Sequence, residues 1–152
     1  VKERYNDRPP SVGFIKGFGL KKGAMASSVA HDSHNIVAIG TSDRDIVAAI
    51  NLVIEAEGGM SAVSDEGSDI LKLPVAGIMS DMPVTAMAAR YERLSETVRS
   101  FGSRLDAPYM TLSFMALLVI PRLKLSDRGL FDGLAFRHVP LFVQKTYPGQ
   151  KS

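Results

Sequence analysis

The apolar and polar positions of the chain alternate with a helical period behind Ser42. This serine occupies an N-cap position, because its hydroxyl can accept a hydrogen bond from the amide of Asp45. Two acidic residues in the first turn complement the helix dipole, and glycines at positions 58 and 59 provide a stop signal. The pattern predicts a helix over Asp43–Glu57, with an apolar stripe formed by Ile46, Ala49, Ile50, Val53 and Ile54.

A second helical stripe lies between Ser80 and Gly102. Ser80 or Asp81 is expected to cap this helix, with Pro83 in its first turn, where a proline is tolerated. The following stretch, 112–120, is apolar all round. A helix there is therefore expected to be buried, and to stop or kink at the next proline.

Short runs of small and β-branched residues predict strands between these helices. A tight turn at 65–68 indicates a hairpin, and a further element is expected around 126–129. The predicted strands are 24–30, 36–40, 60–64, 69–73 and a last one over 138–143.

The predicted order of elements, ββα-ββα-α-β, is typical of an α+β fold with mixed or antiparallel sheet layers and packed helices. It does not predict a (β/α)8 barrel in this chain. We expect one domain over 13–143, preceded by a linker or strand remnant at 1–12 and followed by a tail at 144–152.

Composition supports a globular domain and excludes several kinds of site. The chain has 152 residues, 45% hydrophobic and 22% charged, and a formal net charge of +2. So small a charge predicts neither nucleic-acid binding nor attraction to a membrane. The absence of cysteine excludes disulfides, thiolate metal sites and cysteine nucleophiles. The first ten residues lack the apolar region of a signal peptide, and no apolar stretch reaches the roughly 20 residues that span a bilayer.

A glycine-rich segment at 13–23 invites comparison with a phosphate-binding loop, in which freed backbone amides cradle an anion. The segment lacks the third glycine of a dinucleotide fingerprint, and no Gly-Lys-Ser/Thr follows it. We therefore interpret these glycines as bulges or sites of close strand packing.

The densest polar cluster is His31-Asp32-Ser33-His34-Asn35, expected on a turn or at the strand ends. If it were extended, Asp32 and His34 would share one face. A carboxylate could then orient an imidazole, or the pair could shuttle a proton. The alternative is a polar turn whose side chains bond local amides, since the spacing is not that of a helix-borne zinc motif.

Four segments carry a resemblance to a known family: GFGLKKGAMASSVAHDSHNIVAIG, the region around PVAGIMSDMP, RLKLSDRG and the ending HVPLFV. From about Gly13 to Val143, the chain resembles the C-terminal domain of bacterial adenine deaminase. The ungapped HDSHN core between two strands is the most specific part of this match.

The resemblance implies a hydrolase of the amidohydrolase superfamily, which converts adenine and water to hypoxanthine and ammonia in purine metabolism. It also implies a binuclear manganese or iron site on a (β/α)8 barrel that lies N-terminal to this domain. We further expect a cytoplasmic homo-oligomer whose partners are adenine and the barrel, with no nucleic acid or membrane bound.

The ligand set of that barrel starts with a His-x-His pair, which this chain lacks. Deamination needs a metal-generated hydroxide and an acid for the departing amine, and neither is expected from His31, Asp32 and His34 alone. We therefore expect the chain alone to hold no metal and to be inactive, with no catalytic residue assigned in it. The residues expected to line the active site or the domain interface are His31, Asp32, Ser33, His34 and Asn35.

Two alternatives stay open at this point. The chain could be a stand-alone binding module for a purine or another small ligand, with HDSHN at the mouth of its pocket. It could instead be purely structural, as a dimer interface or a cover for the barrel. Adenine binding without metal favours the first, whereas concentration-dependent association through apolar residues around 112–120 favours the second.

Overall fold

The computed structural model describes residues 1–31 and 33–143. Asp32 and the tail expected at 144–152 lie outside these residues. The described part contains three helices and seven strands, which confirms the predicted α+β class. The elements are β1 (Ala24–Ser27), β2 (Val37–Gly40), α1 (Asp43–Glu55), β3 (Gly59–Ser64), β4 (Gly67–Lys72), α2 (Val84–Ser100), α3 (Pro108–Phe114), β5 (Leu123–Ser126), β6 (Gly129–Asp132) and β7 (Arg137–His138).

A four-stranded antiparallel sheet in the order β2-β1-β3-β4 forms the centre of the fold. In this register Ala24 of β1 lies opposite Gly40 of β2 and Val63 of β3. The hairpin of β3 and β4 closes at the pair Ser64 and Gly67, which confirms the predicted tight turn. A smaller antiparallel sheet has the order β5-β6-β7, so the element expected around 126–129 is the turn of a second hairpin.

Helix α1 covers one face of the central sheet. It is capped as predicted, because the Ser42 hydroxyl accepts a hydrogen bond of 3.2 Å from the Asp45 amide. Ala49 and Val53 are buried against Ala24 and its neighbours in β1. The helix ends two residues earlier than predicted, at Glu55.

Helices α2 and α3 cover the opposite face. Leu94 of α2 and Leu112 of α3 pack with Met25 of β1 in one buried cluster. The Tyr109 hydroxyl donates a hydrogen bond of 2.8 Å to the Ser61 carbonyl, and burial raises the pKa of Tyr109 well above its usual value. The sheet is thus enclosed between one helix and a pair of helices.

The predicted cap of α2 is wrong. The helix begins at Val84 with Pro83 as its N-cap, and neither Ser80 nor Asp81 caps it. The Ser80 hydroxyl instead accepts a hydrogen bond of 3.0 Å from the Met82 amide, within a bend before the helix. The physical reason is that a proline disfavours helical backbone in the residue before it, so the helix cannot extend upstream of Pro83.

The stretch 112–120 is helical only over its first three residues, which form the end of α3. Helix α3 ends at Phe114, and the following residues form turns that lead to the small sheet. Leu112 is buried, but Val119 is 71% exposed. The last strand is shorter than expected as well, since β7 ends at His138 and Pro140 has no N–H to continue a ladder.

Among the described residues, no helix has the length and apolar character that crossing a membrane requires.

Candidate functional site

The cluster singled out from the sequence forms the loop between β1 and β2. The structure describes four of its five residues, His31, Ser33, His34 and Asn35. The loop is a turn, closed by a hydrogen bond of 2.7 Å from the His34 amide to the Ala30 carbonyl. The shared faces expected of an extended segment therefore do not apply.

His31 lies against the C-terminal end of α3. Its ring centroid is 4.9 Å from that of Phe114, with the two rings tilted by 54°. Its backbone amide donates a hydrogen bond of 3.3 Å to the Ser113 carbonyl. These contacts fix the position of a half-buried imidazole at the start of the loop.

His34 has an unusual backbone and an unpaired side-chain nitrogen. Its φ is 50°, in the left-handed region that non-glycine residues seldom adopt. Its Nδ1 is buried and has no hydrogen-bond partner among the described residues. Because a buried polar atom without a partner costs about 1–3 kcal/mol, a hydrogen-bond partner for this nitrogen would stabilise the loop.

Hydrogen bonds from the N-terminal segment hold one side of the loop. One guanidinium nitrogen of Arg4, Nη1, donates a hydrogen bond of 3.3 Å to the His34 carbonyl, and Nη2 donates one of 3.5 Å to the Ala76 carbonyl. The Arg4 amide donates to Oδ1 of the buried Asn35 at 3.4 Å. Sequence reasoning missed Arg4, because these contacts join positions 30 or more residues apart.

Buried hydrogen bonds hold the backbone behind the loop. The Ser28 hydroxyl donates to the Gly77 carbonyl at 2.5 Å and accepts from the Gly59 amide at 2.8 Å. A Cβ on Gly58 would lie 2.2 Å from the Cα of Gly77, so only glycine allows these two segments to approach. Ser33, in contrast, is exposed at the tip of the loop.

A polar cavity of about 620 Å³ lies beside this arrangement, under residues 2–7. Ser28, Ile36 and Glu57 also line it. None of the four described residues of the loop belongs to the lining.

The described residues do not provide a metal centre. Within 1–31 and 33–143, no group of three or more His, Asp or Glu side chains is arranged to hold a metal ion. These side chains therefore do not fit a binuclear site.

By its fold, the chain is an α+β domain with two antiparallel sheets. It belongs to the adenine deaminase C-terminal domain family, whose model matches residues 1–137.

Relatives with the name adenine deaminase match nearly the whole chain. The protein of Salinibacter ruber is 58% identical over 145 residues, which cover 94% of this chain and 26% of that protein. The protein of Sulfurovum sp. is 57% identical, with 91% of this chain and 26% of that protein covered. The protein of Methanosarcina acetivorans is 51% identical, with 95% and 26% covered. The chain thus spans about a quarter of the length of these relatives.

Proposed function

We propose that this domain acts as the C-terminal part of an enzyme that hydrolyses adenine to hypoxanthine and ammonia. The observation that carries the proposal is the combination of family and coverage: relatives of that name match nearly the whole chain with about a quarter of their length. We further propose that the enzyme is cytoplasmic, homo-oligomeric and part of purine metabolism.

In this proposal the chemistry lies mainly outside the chain. A binuclear manganese or iron site on an N-terminal barrel would lower the pKa of a bound water and so supply hydroxide. The described residues of this chain are not arranged as metal ligands. Their part is to bind and orient, at the boundary with that barrel.

The loop His31–Asn35 is the proposed contribution of this domain, facing the barrel mouth or the interface with it. Three features support the proposal. The loop carries a buried His34 Nδ1 without a partner among the described residues, an exposed Ser33, and a fastening by Arg4 that limits its movement. Asp32 stays a predicted member of this set.

The proposed activity is tested by joining this chain to the part of the Salinibacter ruber relative that precedes its matched region. Adenine turnover is followed as hypoxanthine formation with added manganese, for the joined protein and for this chain alone. We expect turnover only from the joined protein. Turnover by the chain alone would overturn the proposed division of labour, and saturable adenine binding by the chain without metal would favour the alternative of a purine-binding module.

The role of the loop is tested by His31→Ala and His34→Ala in the joined protein. Each change is expected to lower kcat/KM by about 10- to 100-fold, the effect usual for groups that orient a site without bonding the metal. His138→Ala is the matched control, since the third histidine is exposed on β7 and is expected to change kcat/KM less than about twofold. Unchanged turnover in both loop variants, with normal expression, would remove the loop from the site.

A further inference from the structure

The outer edge of β2 presents backbone groups that face away from the rest of the sheet. Along a strand, the hydrogen-bonding groups of successive residues point alternately to the two sides. Both backbone groups of Ile36 bond Lys2 on the outer side, at 2.8 and 2.9 Å, and the Thr41 amide bonds the Gly23 carbonyl on the inner side. The N–H and C=O groups of Ala38 and Gly40 therefore point outward, and they have no partner among the described residues.

An apolar groove runs along this edge. Its volume is about 580 Å³, and we call it the β2 groove. One wall is β2, the other is the segment 13–15, and side chains of the small sheet complete it: Leu123, Leu125 and Leu130. The far wall is built from exposed apolar side chains, since Phe14 is 82% and Ile15 44% exposed.

The first two residues show how a strand enters this groove. Val1 and Ser11 exchange two backbone hydrogen bonds, of 2.7 and 2.9 Å, and Lys2 and Ile36 exchange two more. These two residues therefore lie between Ser11 and the edge of the sheet, joined to Ile36 by an antiparallel bridge. A strand continuing in line with it, away from Lys2, would next face Ala38 on one side and Gly13 on the other.

We infer that the β2 groove binds a fifth strand of the central sheet. This strand pairs with Ala38 and Gly40 and buries its apolar side chains against Phe14 and Leu123. We assign this strand to a segment of the longer family members that runs in line with Lys2 and lies outside the matched region. The matched region covers only 26% of the Salinibacter ruber relative. Main-chain pairing would supply the affinity, and the apolar walls would favour alternating apolar side chains. The inference rests on strand register and family length, not on the reaction.

The test extends the chain before Val1 by four residues, Thr-Val-Thr-Val, with Gly-Ser-Gly-Ser as the matched extension. Amide hydrogen exchange is measured by NMR for Ala38 and Gly40, with the Ile39 amide, which faces β1, as the internal reference. The Thr-Val extension is expected to slow exchange of the two outward amides by about tenfold or more, and the Gly-Ser extension by less than about twofold. Equal exchange in the two extended chains would overturn the inference.

Two further measurements separate other occupants. Phe14→Asp is expected to abolish most of the protection given by the Thr-Val extension. Phe136→Asp is the control, because Phe136 is also largely exposed, at 76%, but neither Phe136 nor Phe131, which it contacts, lines the groove. An equal loss in both variants would contradict the inference. Concentration-dependent protection of Ala38 and Gly40 in the unextended chain would also overturn it, by assigning the groove to a second copy.

Discussion

The two edges of the central sheet differ in the hydrogen bonding of their outward backbone groups. At the middle of the β4 edge, side chains satisfy both outward backbone groups of Ile70: its amide donates to Oδ1 of Asp69 at 2.9 Å, and its carbonyl accepts from Arg90 at 3.1 Å. At the β2 edge, Ala38 and Gly40 have no such partners among the described residues. Exposed edges invite further strands, and proteins block them with charged side chains where none is wanted. The ion pair of Asp69 and Arg90 closes the β4 edge at its middle, whereas the β2 edge is open at Ala38 and Gly40.

The largest expected effect compares the packing beside the two edges. Leu94→Ala removes a fully buried side chain under the closed half of the sheet, and it is expected to lower the free energy of unfolding by about 2–5 kcal/mol. Leu123→Ala, in the groove and 48% exposed, is expected to cost less than about 1 kcal/mol. Urea denaturation of both variants measures the difference. Equal losses would show that the groove is as well packed as the core.

A smaller loss of stability is expected when the ion pair at the β4 edge is removed. Arg90→Gln removes the ion pair with Asp69, whose N–O distance is 2.8 Å, and should lower the free energy of unfolding by about 1 kcal/mol. Arg93→Gln is the control, because Arg93 is 3.8 Å from the same carboxylate and 69% exposed. If the ion pair also blocks the edge, analytical ultracentrifugation will detect self-association of the first variant only. Identical behaviour of the two variants would argue against that role.

The smallest effect concerns pH. The hydrogen bond from Arg90 holds the pKa of the Asp69 carboxyl below its usual value of 3.8. The resulting stabilisation is fully present above that usual pKa and is lost as the pH falls through the lower folded value. Asp69→Asn is therefore expected to cost about 0.5–1 kcal/mol at pH 7 and less at pH 3, as measured by urea denaturation. A cost that does not shrink at pH 3 would rule out the ion pair as its source.

The parts of this fold that were predictable from the sequence depend on neighbours along the chain. Ser42, Asp45 and the apolar stripe behind them specify α1 almost to its ends, because capping and helical spacing are local signals. The turn between β1 and β2 follows in the same way from a polar run between two apolar ones.

The rest could not be predicted because it depends on distant pairings. The pair Asp69 and Arg90 is separated by 21 residues, and Lys2 meets Ile36 across a loop without any periodic pattern. Apolar composition also predicts burial only where a partner exists. Val119 is apolar yet 71% exposed, which no pattern within 112–120 reveals.

The backbone of His34 has a consequence for which residues that position can accept. A left-handed φ costs a non-glycine residue about 1 kcal/mol or more, whereas glycine adopts it freely. We therefore expect His34→Gly to be more stable than His34→Ala, although both lose the imidazole, and their unfolding free energies test this. Substitutions that relax the loop would also discard the ring. At position 34, selection for stability would therefore favour glycine, whereas selection for the imidazole would keep histidine.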